Sequence, residues 1–130
     1  MSTPDTCHAY FVVTGSFDPA EITRRVATSP TYSVGLGEPG RYAKAAKCSR
    51  WELLSRLETT APLETHVQDV LTQLDNNKVG FVQLSRELDG TMQLVGYFKE
   101  HEPGTHFERE TVQRIAQYSL AIDCDFYRCS

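Results

Sequence analysis

Apolar residues recur along the chain with the spacings of strands and helices. The first such segment is HAYFVVT, at residues 8–14. Ala9, Phe11 and Val13 share one of its faces, and the opposite face is also apolar or aromatic. Because a strand of this kind is usually covered on both sides, the pattern predicts a central strand.

A helix start follows immediately, in the segment FDPAEI. Asp18 is suited to accept an N–H of the first turn, Pro19 takes a position whose N–H has no helical partner, and Glu21 completes a capping box. The helix is predicted to run to about Thr28, before Pro30 ends it. We interpret the two carboxylates as caps and not as catalytic groups.

A short strand from Tyr32 and a second strand at SRWELLS, residues 49–55, flank the segment GLGEPGRYAKAAKC. Its glycines have the spacing of a dinucleotide-binding motif, but no clear helix follows them. An acid and a proline also stand where a phosphate would approach. The glycines therefore do not form a phosphate-binding fingerprint, and the segment predicts a mobile hairpin loop.

The middle of the chain predicts two helices and a strand. Leu63 to Leu74 has the apolar spacing of an amphipathic helix. Residues 78–88 are ambiguous, because Asp89-Gly90 is also a hairpin signal. Phe81 and Leu84 share one helical stripe there and favour a helix. A strand at 91–99 follows, and its inward residues are expected to be Met92, Leu94, Gly96 and Phe98.

The chain closes with a predicted helix at about 109–118 and a strand, LAIDCDFYRC. Val112, Ile115 and Ala116 are expected to face inward from the helix. Alternation along the strand separates an apolar face from a polar one. The apolar face, expected to meet the core, holds Leu120, Ile122, Cys124 and Phe126. The polar face, expected to be solvated or to meet a ligand, holds Asp123, Asp125 and Tyr127.

This order of elements predicts an α+β fold in a single globular domain, residues 1–130. The expected architecture is a two-layer sandwich, with a mostly antiparallel sheet of about five strands and the helices on one face. Its first part is expected to be a split βαβ, ferredoxin-like unit.

Composition and charge indicate which classes of binding partner suit the chain. The 130 residues are 40% hydrophobic and 23% charged, as in ordinary soluble domains, and the net charge of −4 argues against a dedicated nucleic-acid binder. Residues 1–57 carry a net charge of +2, whereas residues 58–125 carry −7. The basic residues Arg41, Lys44, Lys47 and Arg50 cluster near the flexible loop and offer a weaker hypothesis of an RNA or anion contact. The acidic part is better suited to steer a basic protein partner.

Targeting and cysteine signals point to the cytoplasm. The first residues lack a signal-peptide pattern, and no apolar stretch approaches the roughly 20 residues of a membrane helix. In that compartment Cys7, Cys48, Cys124 and Cys129 are expected to be reduced thiols packed as small apolar groups. Their spacings predict no metal site, and no cofactor motif is present.

Several short motifs together resemble a bacterial family catalogued as domain of unknown function 4279. They are FDPAEI, the Trp51 strand, LETHV at 63–67, PGTHF and the ending LAIDCDFY. The resemblance covers about Tyr10 to Cys129 and implies a fold but no established activity. At the last helix, Glu108-Arg109 stand where the family often has Ser or Asp followed by Pro. The shared positions are Phe17, Asp18, Pro19, Trp51, His106, Asp125 and Tyr127.

Candidate chemistry is sparse. Asp123 and Asp125 lie two apart on one strand, about 7 Å along it, which could serve a cation or acid–base chemistry. The alternative is a charged edge strand that resists edge-to-edge pairing. Among the histidines, no metal-binding or Cys-His catalytic spacing occurs, and His66 is expected on the outer surface of its helix.

Two functional hypotheses follow. The first is a non-enzymatic protein-binding domain, in particular an immunity or antitoxin-type protein that masks a basic toxin with its acidic helices and the 100–110 loop. The acidic residues assigned to that surface are Glu100, Glu102, Glu108 and Glu110. The alternative is a small-ligand-binding domain or minor enzyme. Its pocket would be formed by Trp51, His106, Asp125 and Tyr127.

Overall fold

The computed structural model describes residues 5–99 and 104–129 and contains both strands and helices. The strands are β1 (Thr6–Gly15), β2 (Tyr32–Val34), β3 (Ser49–Leu54), β4 (Thr91–Phe98) and β5 (Ala121–Arg128). The α-helices are α1 (Pro19–Val26), α2 (Leu63–Leu74), α3 (Lys78–Leu88) and α4 (Arg109–Gln117). A 3₁₀ turn at Asp75–Asn77 joins α2 to α3. No helix in this part of the chain is long and apolar enough to cross a membrane.

The five strands form one sheet in the order β2-β3-β1-β4-β5. β1 is central and antiparallel to both β3 and β4, and β3 is antiparallel to β2. β1 and β2 therefore run in the same direction with β3 between them. The β4–β5 pair is parallel, and α4 makes the crossover that a parallel pair requires. The predicted α+β class and mostly antiparallel five-stranded sheet are confirmed.

One face of the sheet packs against the helices to make the core. Phe11, Trp51 and Phe81 meet there, with ring centroids 5.4–6.1 Å apart in tilted and edge-to-face arrangements. The helices contribute the other half of this buried cluster. Its helical members include Ile22, Val26, Val67, Val70, Leu71, Leu74, Leu84, Ile115 and Tyr118.

Helix α1 begins at the predicted position, and side-chain caps stand at the start of both α1 and α3. The Asp18 side chain accepts the Ala20 N–H at 3.0 Å. Helix α1 ends at Val26, and the next residue, Ala27, adopts a left-handed φ of 54°. Asn77 caps α3 by accepting the Gly80 N–H at 3.1 Å and also donates to the Val26 carbonyl. The helical interpretation of residues 78–88 is therefore confirmed.

Helix α4 presents a different face to the core than its apolar residues predict. Val112 is 49% exposed and Ala116 is exposed, so the expected inward placement of these two residues is wrong. The buried stripe is Thr111, Ile115 and Tyr118, at helical spacing. Thr111 can lie inward because its hydroxyl accepts an N–H from Gln68 at 3.2 Å.

Strand β5 departs further from expectation, because all eight of its side chains are exposed. Ile122, Cys124 and Phe126 were expected to meet the core, and only the preceding Leu120 packs against it. The reason is position: β5 is the last strand of the sheet, and α4 packs against α2, so the helix layer stops short of it. All four cysteines are free thiols, but Cys48 and Cys124 are exposed and not packed as expected.

Candidate functional site

The sheet face opposite the helices carries a polar and aromatic surface, which we call the open face. The strand register determines its members, since Tyr10 pairs with Gln93, Gln93 with Asp123, and Val12 with Glu52. No described helix packs on it, whereas the core face holds the apolar residues. Its polar and aromatic residues are His8, Tyr10, Tyr32, Arg50, Glu52, Gln93, Tyr97, Asp123, Asp125 and Tyr127.

The β5 end of the open face is acidic. The Gln93 amide donates to a carboxylate oxygen of Asp125 at 3.1 Å and to the Asp123 carbonyl at 3.2 Å. Both aspartates are exposed, and within residues 5–99 and 104–129 neither forms an ion pair. The described residues also contain no group of three potential metal ligands. The two carboxylates are therefore available to a cation from outside the chain.

Two tyrosines lie beside these aspartates. The rings of Tyr97 and Tyr127 stack with centroids 5.3 Å apart and an interplanar angle of 19°. They are 39% and 49% exposed, respectively. Tyrosine combines a rigid apolar ring with a hydrogen-bonding tip, which is why it is enriched at protein interfaces.

The outer edge of β5 presents backbone groups that the sheet does not use. In a parallel ladder a residue directs its N–H and C=O to one side, and its neighbours direct theirs to the other. The Ala121 N–H donates to the Gly90 carbonyl, and the Cys129 N–H to the Phe98 carbonyl. Odd-numbered residues therefore bond to β4. The residues whose backbone groups point outward are Ile122, Cys124, Phe126 and Arg128.

The opposite end of the open face holds a buried carboxylate between two arginines. Glu52 is only 4% exposed. Arg41 donates two hydrogen bonds to it, at 2.6 and 3.2 Å, and Arg50 donates through Nε. The Arg41 guanidinium also lies 3.8 Å from the centre of the Tyr32 ring. The hydrogen bonds to Glu52 raise the pKa of Arg41, despite partial burial that acts the other way.

The pocket expected near Trp51, His106, Asp125 and Tyr127 is not formed by these four residues together. Trp51 is fully buried in the core, where its indole N–H donates to the Thr23 hydroxyl at 3.1 Å. Asp125 and Tyr127 do share a face, but it is the face opposite Trp51. Trp51 therefore packs in the core and does not lie on the open face.

His106 and the acidic residues of the last helix lie elsewhere. The His106 side chain is 78% exposed, with Nε2 3.2 Å from a Glu108 carboxylate oxygen. It lines a cavity of about 390 Å³ together with Cys7, Leu63 and Phe98. Glu108 and Glu110 are exposed at the start of α4. Glu100, Glu102 and His101 lie outside the described residues.

His66 is buried, so its expected surface position is wrong. It is fully inaccessible, and its Nδ1 lies 2.6 Å from the Ser55 hydroxyl. Its Nε2 has no hydrogen-bond partner within the described chain. Burial lowers its pKa. The burial of His66 could have been predicted from helical spacing, since it stands three residues after Leu63 and four before Val70, on the buried stripe of α2.

The role of Glu52 differs from what the sequence pattern predicts. The pattern shows the basic cluster that includes Arg41 and Arg50 but not the carboxylate that joins them. The available signal was strand alternation, which places Arg50 and Glu52 on the same face two residues apart.

One comparison with known proteins finds a similarity. The family model described as "Domain of unknown function (DUF4279)" matches residues 5–128. No curated protein and no solved structure matches the chain.

Proposed function

We propose that this chain, which belongs to the DUF4279 family, is a non-enzymatic protein-binding domain that pairs with a basic strand of a partner along the outer edge of β5. The observation that carries the proposal is that all eight side chains of this edge strand are exposed. An edge with unpaired N–H and C=O groups is a template for adding a strand.

The charge of β5 selects the partner. Asp123 and Asp125 stand on one face, two residues apart, with no cation beside them in the described chain. Residues that face one another across paired strands interact, and opposite charges there stabilise the pairing. A partner strand with lysine or arginine at alternate positions matches this pattern.

The same charges disfavour a second copy of the chain. If two β5 strands paired antiparallel about Cys124, Asp123 of one copy would face Asp125 of the other. Like charges in directly opposed positions destabilise a strand pair. The aspartates therefore oppose self-association in this register and favour a basic partner.

The other face of β5 supplies apolar contact area. Ile122 is 49% exposed and Phe126 is 42% exposed. Burying such side chains under the alternate residues of a partner strand contributes roughly 25 cal/mol per Å² of apolar surface. A strand with alternating basic and apolar residues would thus satisfy both faces.

More specifically, we propose that the partner is a basic toxin and that this chain is an immunity or antitoxin-type protein. The net charge of −7 over residues 58–125 supports it, because complementary charge accelerates association with a basic protein. The exposed Glu108 and Glu110 extend the acidic surface.

The test uses a labelled eight-residue peptide of alternating lysine and valine, followed by fluorescence anisotropy at low ionic strength. The wild-type protein is expected to bind it, and added salt is expected to weaken the binding. A peptide with glutamate in place of lysine should not bind. Failure of the lysine peptide to bind, or equal binding of both peptides, contradicts the proposal.

Proline supplies a sharper version of the test. Cys124→Pro removes an N–H that points outward, so the β4–β5 ladder can persist, whereas a partner strand loses a donor. Cys124→Ala is the matched control, because it removes the same thiol and keeps the N–H. Peptide binding should be lost only in the proline variant, with near-wild-type circular dichroism in both. Asp123→Asn with Asp125→Asn should also weaken binding.

The immunity or antitoxin role has a separate test. The chain is co-purified with a basic protein encoded beside it and assayed for neutralisation of that protein's toxicity. We expect a stoichiometric complex and neutralisation that Cys124→Pro abolishes and Cys124→Ala retains. Neutralisation by both variants would rule out the β5 edge as the masking surface.

A further inference from the structure

A second candidate site lies at the other end of the open face, apart from the β5 edge. We propose that the pocket between β2, β3 and the loop of residues 35–48 binds a phosphate monoester. The pocket has a volume of about 240 Å³. Its lining includes Tyr32, Arg41, Tyr42, Lys47 and Arg50.

Charge at this pocket matches a dianion. Arg41, Lys47 and Arg50 supply three positive charges, and Glu52, held by both arginines, supplies one negative charge. Lys47 forms no ion pair with any described residue. The surplus of two positive charges corresponds to a phosphate monoester, which carries about −1.5 to −2 at neutral pH. A phosphodiester or a carboxylate carries only one negative charge.

Glu52 holds the two guanidinium groups in place and leaves part of their N–H donors unused. Each guanidinium has five N–H bonds. Arg41 directs one N–H from each terminal nitrogen to Glu52, and Arg50 directs its Nε–H there, with a long contact of 3.5 Å to the Tyr10 hydroxyl. The remaining N–H groups can donate to an anion. Such pre-orientation reduces the entropy lost on binding.

The loop that forms the outer wall is held by its own backbone. The Gly37 N–H donates to the Ala46 carbonyl at 2.9 Å, and the Ala46 N–H donates to the Glu38 carbonyl at 2.8 Å. The Gly40 N–H donates to the Lys44 carbonyl at 2.8 Å. These bonds form a short hairpin, so Arg41 and Lys47 are presented from a defined segment of the chain.

Aromatic groups indicate what the phosphate is attached to. Tyr42 is 87% exposed at the rim of the pocket, where its ring is available for stacking. Tyr32 is already covered by the Arg41 guanidinium. A phosphate monoester of a planar ring system, such as a nucleoside monophosphate, would place its phosphate among the cations and its ring on Tyr42.

The experiment is an NMR titration of the ¹⁵N-labelled protein with inorganic phosphate, with adenosine monophosphate, and with sodium chloride at equal ionic strength. We expect saturable shifts of amides in residues 32–34 and 40–50 with both phosphate probes, and tighter binding of the nucleotide. Shifts that match those of sodium chloride, or that do not saturate, would overturn the proposal.

Two lysines of the same loop give a matched pair of variants. Lys47→Gln removes a charge from the pocket without touching Glu52, and we expect it to weaken phosphate and nucleotide binding by about fivefold. Lys44→Gln, whose side chain does not line the pocket, should leave the affinity unchanged. Equal weakening by both variants would mean that diffuse charge attracts the anion, and would refute a defined site.

A single-stranded RNA oligonucleotide without a terminal phosphate tests whether the pocket prefers the phosphodiesters of RNA to a phosphate monoester. It carries only diesters, so we expect it to bind more weakly than adenosine monophosphate. If it bound more tightly, and if both lysine variants weakened that binding, the loop would be an RNA contact and the monoester site would be wrong.

Discussion

The Ser55 hydroxyl lies 2.6 Å from Nδ1 of His66, and both side chains are buried. The same hydroxyl oxygen accepts the Ala9 N–H at 3.3 Å, which leaves its own proton free to bond Nδ1. The contact ties the end of β3 to α2 beneath β1. It is buried, so it contributes to the stability of the fold.

This buried imidazole should make stability depend on pH. Burial lowers the pKa of His66 below its ordinary value of 6.5. The unfolded chain therefore takes up a proton at a pH where the folded chain resists it, and the free energy of unfolding falls as pH drops below about 6.5. Urea denaturation at pH 7.5 and 5.5 should show this decrease.

The variant that checks it is His66→Asn, which keeps an acceptor near Ser55 and cannot titrate. We expect it to be less stable at pH 7.5 but to lose much of the decrease between pH 7.5 and 5.5. If His66→Asn keeps the full decrease, this histidine is not its source.

Tyr118 should contribute to stability through its hydroxyl. It is 1% exposed and donates a hydrogen bond to Asp75, which also accepts from Arg114 at 3.0 Å. Tyr118→Phe should reduce the free energy of unfolding by about 1.5–3 kcal/mol, the usual value for a hydrogen bond to a charged group. Tyr42→Phe, at an exposed position, should change it by less than about 0.5 kcal/mol. Thermal denaturation of both variants is the measurement, and equal effects would contradict the expectation.

The burial of Trp51 gives a fluorescence prediction. Trp51 is the single tryptophan of the chain and is fully inaccessible. Its emission should be blue-shifted and poorly quenched by iodide, and saturation with the lysine peptide or with phosphate should leave it unchanged. Strong iodide quenching in the folded protein would place Trp51 at the surface, contrary to its role in the core.

The end of α1 offers a stabilising substitution. Ala27 has a φ of 54°, in the left-handed region that costs an L-residue roughly 1–2 kcal/mol. Ala27→Gly relieves this strain but adds chain entropy, so the net gain should be about 0.5–1 kcal/mol. In the same helix, Arg24→Gly should instead destabilise by about 1 kcal/mol. Urea denaturation of the two variants should give shifts of opposite sign.

Local chemistry made much of the secondary structure predictable. Asp18 and Pro19 start α1 through groups one to three residues away, and apolar spacing identifies α2 without knowledge of the rest of the chain. Alternation likewise placed Asp123, Asp125 and Tyr127 on one face of β5. These features depend on backbone geometry and on neighbours in sequence, so they can be predicted from the amino-acid sequence alone.

Alternation does not say which face of a strand is covered. Whether Trp51 points toward the helices or toward Asp125 depends on the register of β3 against β1 and of β4 against β5. The four residues of the predicted pocket are separated for this reason: Trp51 lies on the face opposite Asp125 and Tyr127, and His106 lies outside the sheet, in the segment before α4.

The sequence by itself determined the elements, the α+β class and the acidic character of the second part. Only the tertiary structure decided that β5 is an uncovered edge, that His66 is buried, and that Glu52 joins Arg41 to Arg50. Each of these depends on which elements pack together, because strand order decides which strand lies at the edge, and packing decides how far the helix layer extends. Burial and ion pairing follow from contacts between distant parts of the chain, which local spacing does not encode.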